Sequence, residues 1–443
     1  MNVFFVSLGC DKNLVDSEVM LGILSDNGFS IIDDETKADV IIVNTCAFIA
    51  DATEEGINMI IEMGNQKSEG ACKALIVTGC MAKRYEAQMF DELPEIDAIV
   101  GPKDYELIAD VLKRVKAGEK SIALLSESNE NDDKPRRRIL STASYYAFLK
   151  IAEGCDNHCT YCTIPAIRGK YKSRPIKSLI EEAKSLAEQG VKELVLVAQD
   201  TGYYGKDIYG EFRLNELLKK LSEIEEIEWI RILYCYPERI DEKLISEMKS
   251  NGKVCKYIDM PIQHADDEVL KRMGRGCLSE DLRKTIKNLR DAMPEISIRT
   301  TVIVGFPGET DAQFANLKSF IEEVKFDKLG AFAYSPEDGT AAVNFTDHIS
   351  DEIKAWRKDL VMQKQQEISL GINQSKIGRV YKVITDGYLP DRGVYVGRSY
   401  MDSFENDGMI FFTSDSELLA GDFVSVEITA AFDYDLIGEI KPQ

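Results

Sequence analysis

No apolar run in this sequence of 443 residues approaches the ~20 that a membrane-spanning helix requires. An export signal is missing as well: the chain opens directly in VFFVSLGC, without a basic leader or a small-residue cleavage site. The expected setting is therefore a reducing cytoplasm. Ten cysteines do not make five disulfides there, and each thiol is a small buried hydrophobe, a ligand or a nucleophile. Positive charge is short, with 54 basic residues against 76 acidic ones and a net of −22. Such a chain is repelled by a phosphate backbone, which disfavours general nucleic-acid binding, and it attracts a basic partner. What is present is the composition of a soluble globular protein, 44% hydrophobic and 29% charged, at a length that predicts two to four domains.

Three regions separate by pattern. Up to about residue 125, the β-like runs VFFVSL, DVIIVN, ALIVTG and IDAIVG alternate with helical stretches such as DSEVMLGILSDNG. This predicts βαβ units on an open parallel sheet over 1–125. The polar, charged stretch SESNENDDKPRRRILST predicts a linker over 126–141. Six more β runs follow over 142–371: YYAFLKIAEG, ELVLVAQD, WIRILYCYP, YIDMPI, ISIRTTVIVG and KLGAFAYS. Helical stretches separate most of them, which predicts a partial (βα)6 barrel, short of the eight repeats of a closed one. A long amphipathic segment, SDEIKAWRKDLVMQKQQEISLGINQSKIG, leads out, and 372–443 reads as a small antiparallel β-barrel. The expected fold class is α/β with a β-barrel appended.

GCDNHCTYCTIP spaces Cys155, Cys159 and Cys162 as C-x-x-x-C-x-x-C, directly after the first β run of the second region. Three thiols this close cannot all be used from one regular helix or strand, but a loop can wrap them around one soft metal centre. Zinc wants a fourth ligand, and His158, inside the loop beside Cys159, is awkwardly placed to supply it. An iron–sulfur cube on three cysteines leaves one iron open for a substrate or cofactor. Structural zinc and three unrelated buried thiols are the alternatives. The C-terminal end of a barrel strand favours the catalytic choice, because that face carries the active site in such barrels.

A second triplet is dispersed. VFFVSLGC, DVIIVNTC and ALIVTGC deliver Cys10, Cys46 and Cys80 just past three β runs. A parallel sheet gathers its C-terminal strand ends along one edge, where open α/β sheets bind ligands. If the strands are near neighbours, the three thiols share one centre; the alternative is three buried thiols at strand ends. Cys72, Cys235, Cys255 and Cys277 show no such arrangement and read as core thiols, and His264 and His348 as ordinary polar contacts.

The C-x-x-x-C-x-x-C loop with Tyr161 before its third cysteine, opening a partial βα barrel, resembles the radical S-adenosylmethionine (SAM) enzymes. That resemblance implies a 4Fe-4S cluster on Cys155, Cys159 and Cys162 whose open iron chelates SAM. One-electron cleavage then gives a 5′-deoxyadenosyl radical that abstracts hydrogen from an unactivated carbon. MPIQHADDEVLKRMGRG, AQDTGYYG and YSPEDGT are similar to motifs of one branch, the methylthiotransferases, as are SLGCDKNLVDSE, VNTCAFI, TGCMAKR and GDFVSVEI. The resemblance covers essentially the whole chain. It implies a second, auxiliary 4Fe-4S cluster on Cys10, Cys46 and Cys80, a C-terminal barrel of the TRAM type, and a cavity between domains that both clusters face. One SAM would methylate a sulfur at the auxiliary cluster, and a second would provide the radical. The expected cofactor-binding set is Tyr161, Gln199, Gln263, Arg299, Gly305 and Gly308. The two glycines, in IVGFPGET, would let backbone approach the adenosyl moiety; Gln199, Gln263 and Arg299, at or just after β runs, would hold its carboxylate or ribose, unless they are ordinary strand-end residues.

Methylthiotransferases divide mainly into those modifying an adenosine in transfer RNA and those modifying the β-carbon of an aspartate in ribosomal protein S12. Residues 375–443 carry six basic groups against twelve acidic ones, the wrong sign for phosphate and the right one for a basic ribosomal protein. SLGCDKNLVDSE and AQDTGYYG also look closer to the ribosomal-protein branch. The expected function is aspartate methylthiolation of S12. A sulfur donor and an electron donor are further partners, with no membrane and no direct sequence-specific nucleic acid. A transfer-RNA enzyme and a zinc-bound interaction protein are the alternatives.

Overall fold

A computed structural model describes residues 1–126, 137–404 and 407–441; of the linker expected over 126–141, residues 127–136 lie outside the described residues. The first region forms six parallel strands: β1 (Asn2–Ser7), β2 (Ser30–Ile32), β3 (Val40–Thr45), β4 (Ala74–Gly79), β5 (Ile96–Val100) and β6 (Ile122–Leu124). They lie in the order β2-β1-β3-β4-β5-β6. The runs VIIVNT and ALIVTG are buried at every residue, as expected of parallel strands covered on both faces. β2 and β6 are absent from the runs legible in the sequence, because three residues are too few to show a period. Strand order reverses between β1 and β3, the switch point at which such sheets open a crevice. Ser7 stands opposite Asn44, and Asn44 opposite Thr78, so β1, β3 and β4 end level.

The second region starts with β7 (Tyr146–Lys150) and a two-residue ladder of β8 (Ala152–Glu153) with β9 (Lys172–Ser173). It continues through β10 (Glu193–Val197), β11 (Trp229–Ile232), β12 (Val254–Asp259), β13 (Ser297–Val304) and β14 (Lys328–Ala333). The parallel sheet runs β14-β13-β12-β11-β10-β7, so β7 and β14 are its two edges and the barrel is open. Each of the six β runs read from the sequence contributes one of these strands. Helices between them bury leucine and isoleucine on the sheet's outer face, as Leu179, Leu186, Leu217 and Leu221 do.

The helix Asp351–Gln374 packs on β14 and leads to a closed barrel of β15 (Val380–Leu389), β16 (Val394–Ser399), β17 (Ile410–Thr413), β18 (Phe423–Ala431) and β19 (Leu436–Ile440). Four of its pairings are antiparallel; β17 and β19 run parallel.

Buried ion networks, rather than apolar contact alone, tie the three parts together. Arg138 donates to Glu18 of the first region and, at 3.0 Å, to Glu182 of the second. Glu193 on β10 takes Arg231 at 2.7 Å and Arg398 of the C-terminal barrel at 2.9 Å. Burial alone would raise the Glu193 carboxyl, but Arg398 and Arg231 outweigh it and hold it below its ordinary value. Glu193→Gln therefore leaves buried guanidinium charge uncompensated, an expected loss of about 3–5 kcal/mol at neutral pH by urea unfolding. A depressed carboxyl stabilises fully above the unfolded value of 4.5 and progressively less below it, so the gap from wild type should narrow as pH falls below that point.

Candidate active site

The first thiol triplet is built at the level ends of β1, β3 and β4. Gly9 and Gly79, which precede Cys10 and Cys80, have φ of +93° and +91°. Side chains would not fit either: a Cβ on Gly9 would stand 2.6 Å from Cys46 Cβ, and one on Gly79 would stand 2.4 Å from Asn44 Oδ1. Asn13 joins the strand ends, its Nδ2 donating to Thr45 O at 2.8 Å while Asn44 Nδ2 donates to Asn13 O at 2.9 Å. Cys46 and Cys80 are buried and Cys10 is half-buried. Burial pushes the Cys80 thiol up to about 12, against the pull of Arg168.

The second triplet lies on the loop after β8. Cys155 N donates to Gly169 O at 3.0 Å, and Cys162 N to Cys159 O at 3.1 Å, which closes a compact turn. Asn157 Nδ2 lies 3.5 Å from Cys155 Sγ. Cys159 sits between Tyr236 Oη at 3.7 Å and Arg275 Nη1 at 3.9 Å, and the Arg275 guanidinium in turn lies 4.1 Å over the Tyr236 ring. Burial raises Cys155 to about 11 and Cys162 to about 12.

Both triplets open on one cavity of about 390 Å³ between the regions. Cys10, Cys46 and Cys80 line it from one side, Cys155 and Cys162 from the other, and Ser403 of the C-terminal barrel reaches its wall. Cys159 stands behind that lining. Of the expected cofactor set, Tyr161, Gln199, Gln263 and Arg299 line the cavity. Gln199 Oε1 and Gln263 Oε1 are buried without a hydrogen-bond partner. Arg299 is held by Asp259 at 2.9 Å and Asp407 at 3.4 Å. Gly305 and Gly308 do not line the cavity. Their φ values of +70° and +75° serve a turn whose open side is filled by the Lys354 chain and by the Arg272–Asp347 pair.

Two cations at the site were not singled out from the sequence. Arg168 ends the short helix Ile164–Arg168 that follows the cysteine loop. Fully buried, it donates to Asn13 Oδ1 and, at 2.8 Å, to Glu153 Oε1, with Asp16 at 3.4 Å. It thus spans from the second triplet's loop to the first triplet's strand ends. Lys12, two residues past Cys10, also lines the cavity, its Nζ 3.1 Å from the Tyr234 ring centre. Burial lowers the Lys12 pKa, while Cys10 and Asp11 oppose that shift. Only proximity to Cys10 in SLGCDKN hinted at Lys12; nothing local marked Arg168.

The donor set fits iron–sulfur clusters. Each triplet offers three soft thiols, and His158 is exposed beside buried Cys159, so it does not complete a tetrahedron. Among the described residues no three Cys, His, Asp or Glu side chains close on a single metal ion. His264 instead meets Glu309 at 3.3 Å and accepts from Asp266 N at 3.0 Å. His348 lies 3.1 Å from Val343 O. Cys72, Cys235, Cys255 and Cys277 are buried.

Comparison with known proteins agrees with this geometry. The radical SAM superfamily pattern matches residues 149–321, that of the uncharacterized protein family UPF0004 residues 2–101, and the TRAM domain residues 377–440. The ribosomal protein uS12 methylthiotransferase RimO of Lachnoclostridium phytofermentans is 50% identical over 443 residues, covering 99% of both chains. That of Clostridioides difficile is 49% identical over 441 residues, again covering 99% of both. The chain belongs to the RimO family. RimO-type methylthiotransferases are radical SAM enzymes, so membership brings an iron–sulfur cluster and SAM. Among solved structures, the radical SAM methyltransferase TsrM from Kitasatospora setae, with cobalamin and a 4Fe-4S cluster bound, superposes with a TM-score of 0.59 at 13% identity. The match covers 86% of this chain and 80% of that one, and is a likeness of fold.

In iron-free protein the buried thiols should be almost fully protonated at pH 8. Iodoacetamide is expected to label Cys80 and Cys162 roughly 100- to 1,000-fold more slowly than an ordinary exposed cysteine, followed by peptide mass spectrometry.

Proposed function

We propose that this protein adds a methylthio group to the β-carbon of an aspartate in ribosomal protein uS12, using two 4Fe-4S clusters, one on Cys10, Cys46 and Cys80 and one on Cys155, Cys159 and Cys162. The observation that carries this reading is that both triplets open on one cavity. When bound, the clusters and SAM supply electron transfer, hydrogen abstraction from an unactivated carbon, and the methylthio group.

The chain's own residues arrange that chemistry. Arg168 places positive charge beside Cys80, which opposes the effect of burial and favours its thiolate form as a ligand. Arg275 and Tyr236 lie within reach of the Cys159 sulfur and hold it in place. Gln199 and Gln263 face the cavity with unpaired carbonyl oxygens, suited to accept from the ammonium or hydroxyl groups of SAM. Tyr161, Tyr234, Tyr236 and Tyr257 line the walls and exclude water. Phe48 and Phe332 belong to the lining yet remain 39% and 51% exposed, which suits an apolar rim around an inserted protein loop.

Charge on the C-terminal barrel favours uS12 over transfer RNA. Its few cations are largely spent internally: Arg398 is buried between Glu193 and Asp386, Lys382 reaches Glu228, Lys441 pairs with Glu427, and Lys376 is buried against Asn373. The remaining surface is acidic and suits a basic protein. No helix among the described residues is long and apolar enough to cross a membrane; a ribosomal substrate supports a cytoplasmic setting. A sulfur donor and an electron donor complete the partners.

Anaerobic incubation of enzyme, SAM and reductant with uS12 or with transfer RNA, read by mass spectrometry, tests the substrate. One methylthio group should appear on a uS12 aspartate; a gain on RNA alone would sink this proposal. For the clusters, Cys80→Ala and Cys155→Ala should each bind about half the wild-type iron. Loss of all iron from either variant would contradict two independent clusters.

A further inference from the structure

The cations at the cavity differ in one respect. Arg299 is held by Asp259 and Asp407, and Arg168 by Asn13, Asp16 and Glu153. Lys12 has no such partner. The residue is 7% exposed and lines the cavity, and its ammonium rests on the face of Tyr234, 3.1 Å from the ring centre. Among the described residues it hydrogen-bonds to no oxygen. A cation–π contact recovers part of the hydration that burial removes, but an ammonium so placed still has three donors with no protein acceptor.

Its position is also specific. Lys12 follows Cys10 of the first triplet by two residues, while Tyr234 follows β11 and its hydroxyl lies 3.2 Å from Asp11 Oδ2. The ammonium therefore stands where the two halves of the site meet. Arg168, Arg299 and Asp259 are the other charged groups in that lining, and Asp259 is taken up by Arg299 and by Tyr234 N at 3.1 Å. Asp11 on the same helix is engaged by the Tyr234 hydroxyl.

We propose that Lys12 binds the side-chain carboxylate of the substrate aspartate and sets the preference for an acidic side chain at the reacting carbon. This rests on the assignment of an aspartate of uS12 as substrate. The carboxylate is one bond from the β-carbon, so anchoring it places that carbon in the cavity between the triplets. A substrate without a carboxylate leaves the buried ammonium unpaired, which selects against a nucleoside as effectively as any added contact.

The test is a binding cycle on the anaerobically reconstituted enzyme, without turnover. Calorimetry gives the Kd of uS12, and of uS12 with the target aspartate changed to asparagine, for wild type, K12M and K12R. Wild type should prefer the aspartate form by ~10-fold or more, the size of a charge-assisted hydrogen bond. K12M should bind the two forms within about 2-fold of each other, and K12R should keep part of the preference, as expected when one partner of a charged contact is removed or conserved. Iron content and circular dichroism establish that each variant is folded. If K12M does not fold, K12R decides: a folded K12R that binds both forms equally overturns the proposal. A folded K12M that keeps the preference also overturns it, as does weakened SAM binding with the preference intact, which would give Lys12 to the cofactor. In either case uS12 remains the substrate. If wild type neither binds nor modifies uS12, the substrate assignment itself fails.

Discussion

A single buried guanidinium holds the two halves of the active site in register. Arg168 leaves the helix next to the C-x-x-x-C-x-x-C loop, reaches Asn13 and Asp16 across the domain boundary, and pairs with Glu153 on its own side. Asn13 also bonds the ends of the neighbouring strands, so the same contact that docks the loop stiffens the edge carrying Cys10, Cys46 and Cys80. Lys150 completes the cluster by donating to Asp16 and, at 2.7 Å, to Glu153. Taking these charges out of water is costly, and they are tolerated because nearly every donor and acceptor is matched. A rotated docking would break several of those bonds at once, whereas an apolar interface would tolerate sliding.

The same device recurs once more at that boundary and once between the second region and the C-terminal barrel. Arg138 links Glu18 to Glu182, and Glu193 links Arg231 to Arg398. Three buried ionic nodes therefore position three domains around one cavity. Chemistry that must join two centres on one carbon depends on distance between them, so directional bonds at the junctions serve the reaction more directly than added apolar area would.

Electrostatics also divides the molecule by task. The cavity gathers positive charge from Lys12, Arg168 and Arg299, appropriate to thiolates and a carboxylate, while the chain as a whole is strongly acidic. A basic protein is drawn to the outside, and only an anionic group is stabilised within.

The sequence by itself determined the fold class and the chemistry. Strand and helix periods, six β runs and a terminal set of short strands were all legible, because burial on a sheet or helix imposes a local repeat. So was the cysteine loop, whose three thiols are neighbours in the chain. The edge strands of the first sheet, β2 and β6, were not legible, being too short to show a period. Tertiary structure alone decided which distant groups meet. The strand order placed β1, β3 and β4 side by side and so brought Cys10, Cys46 and Cys80 to one edge, and domain docking set that edge against Cys155 and Cys162. It set Gly305 and Gly308 in a turn against Lys354 and Arg272, and brought Arg168 and Lys12 into the cavity lining. Local sequence encodes which face of an element is buried; which other element covers that face depends on contacts across more than a hundred residues, and no local repeat records them.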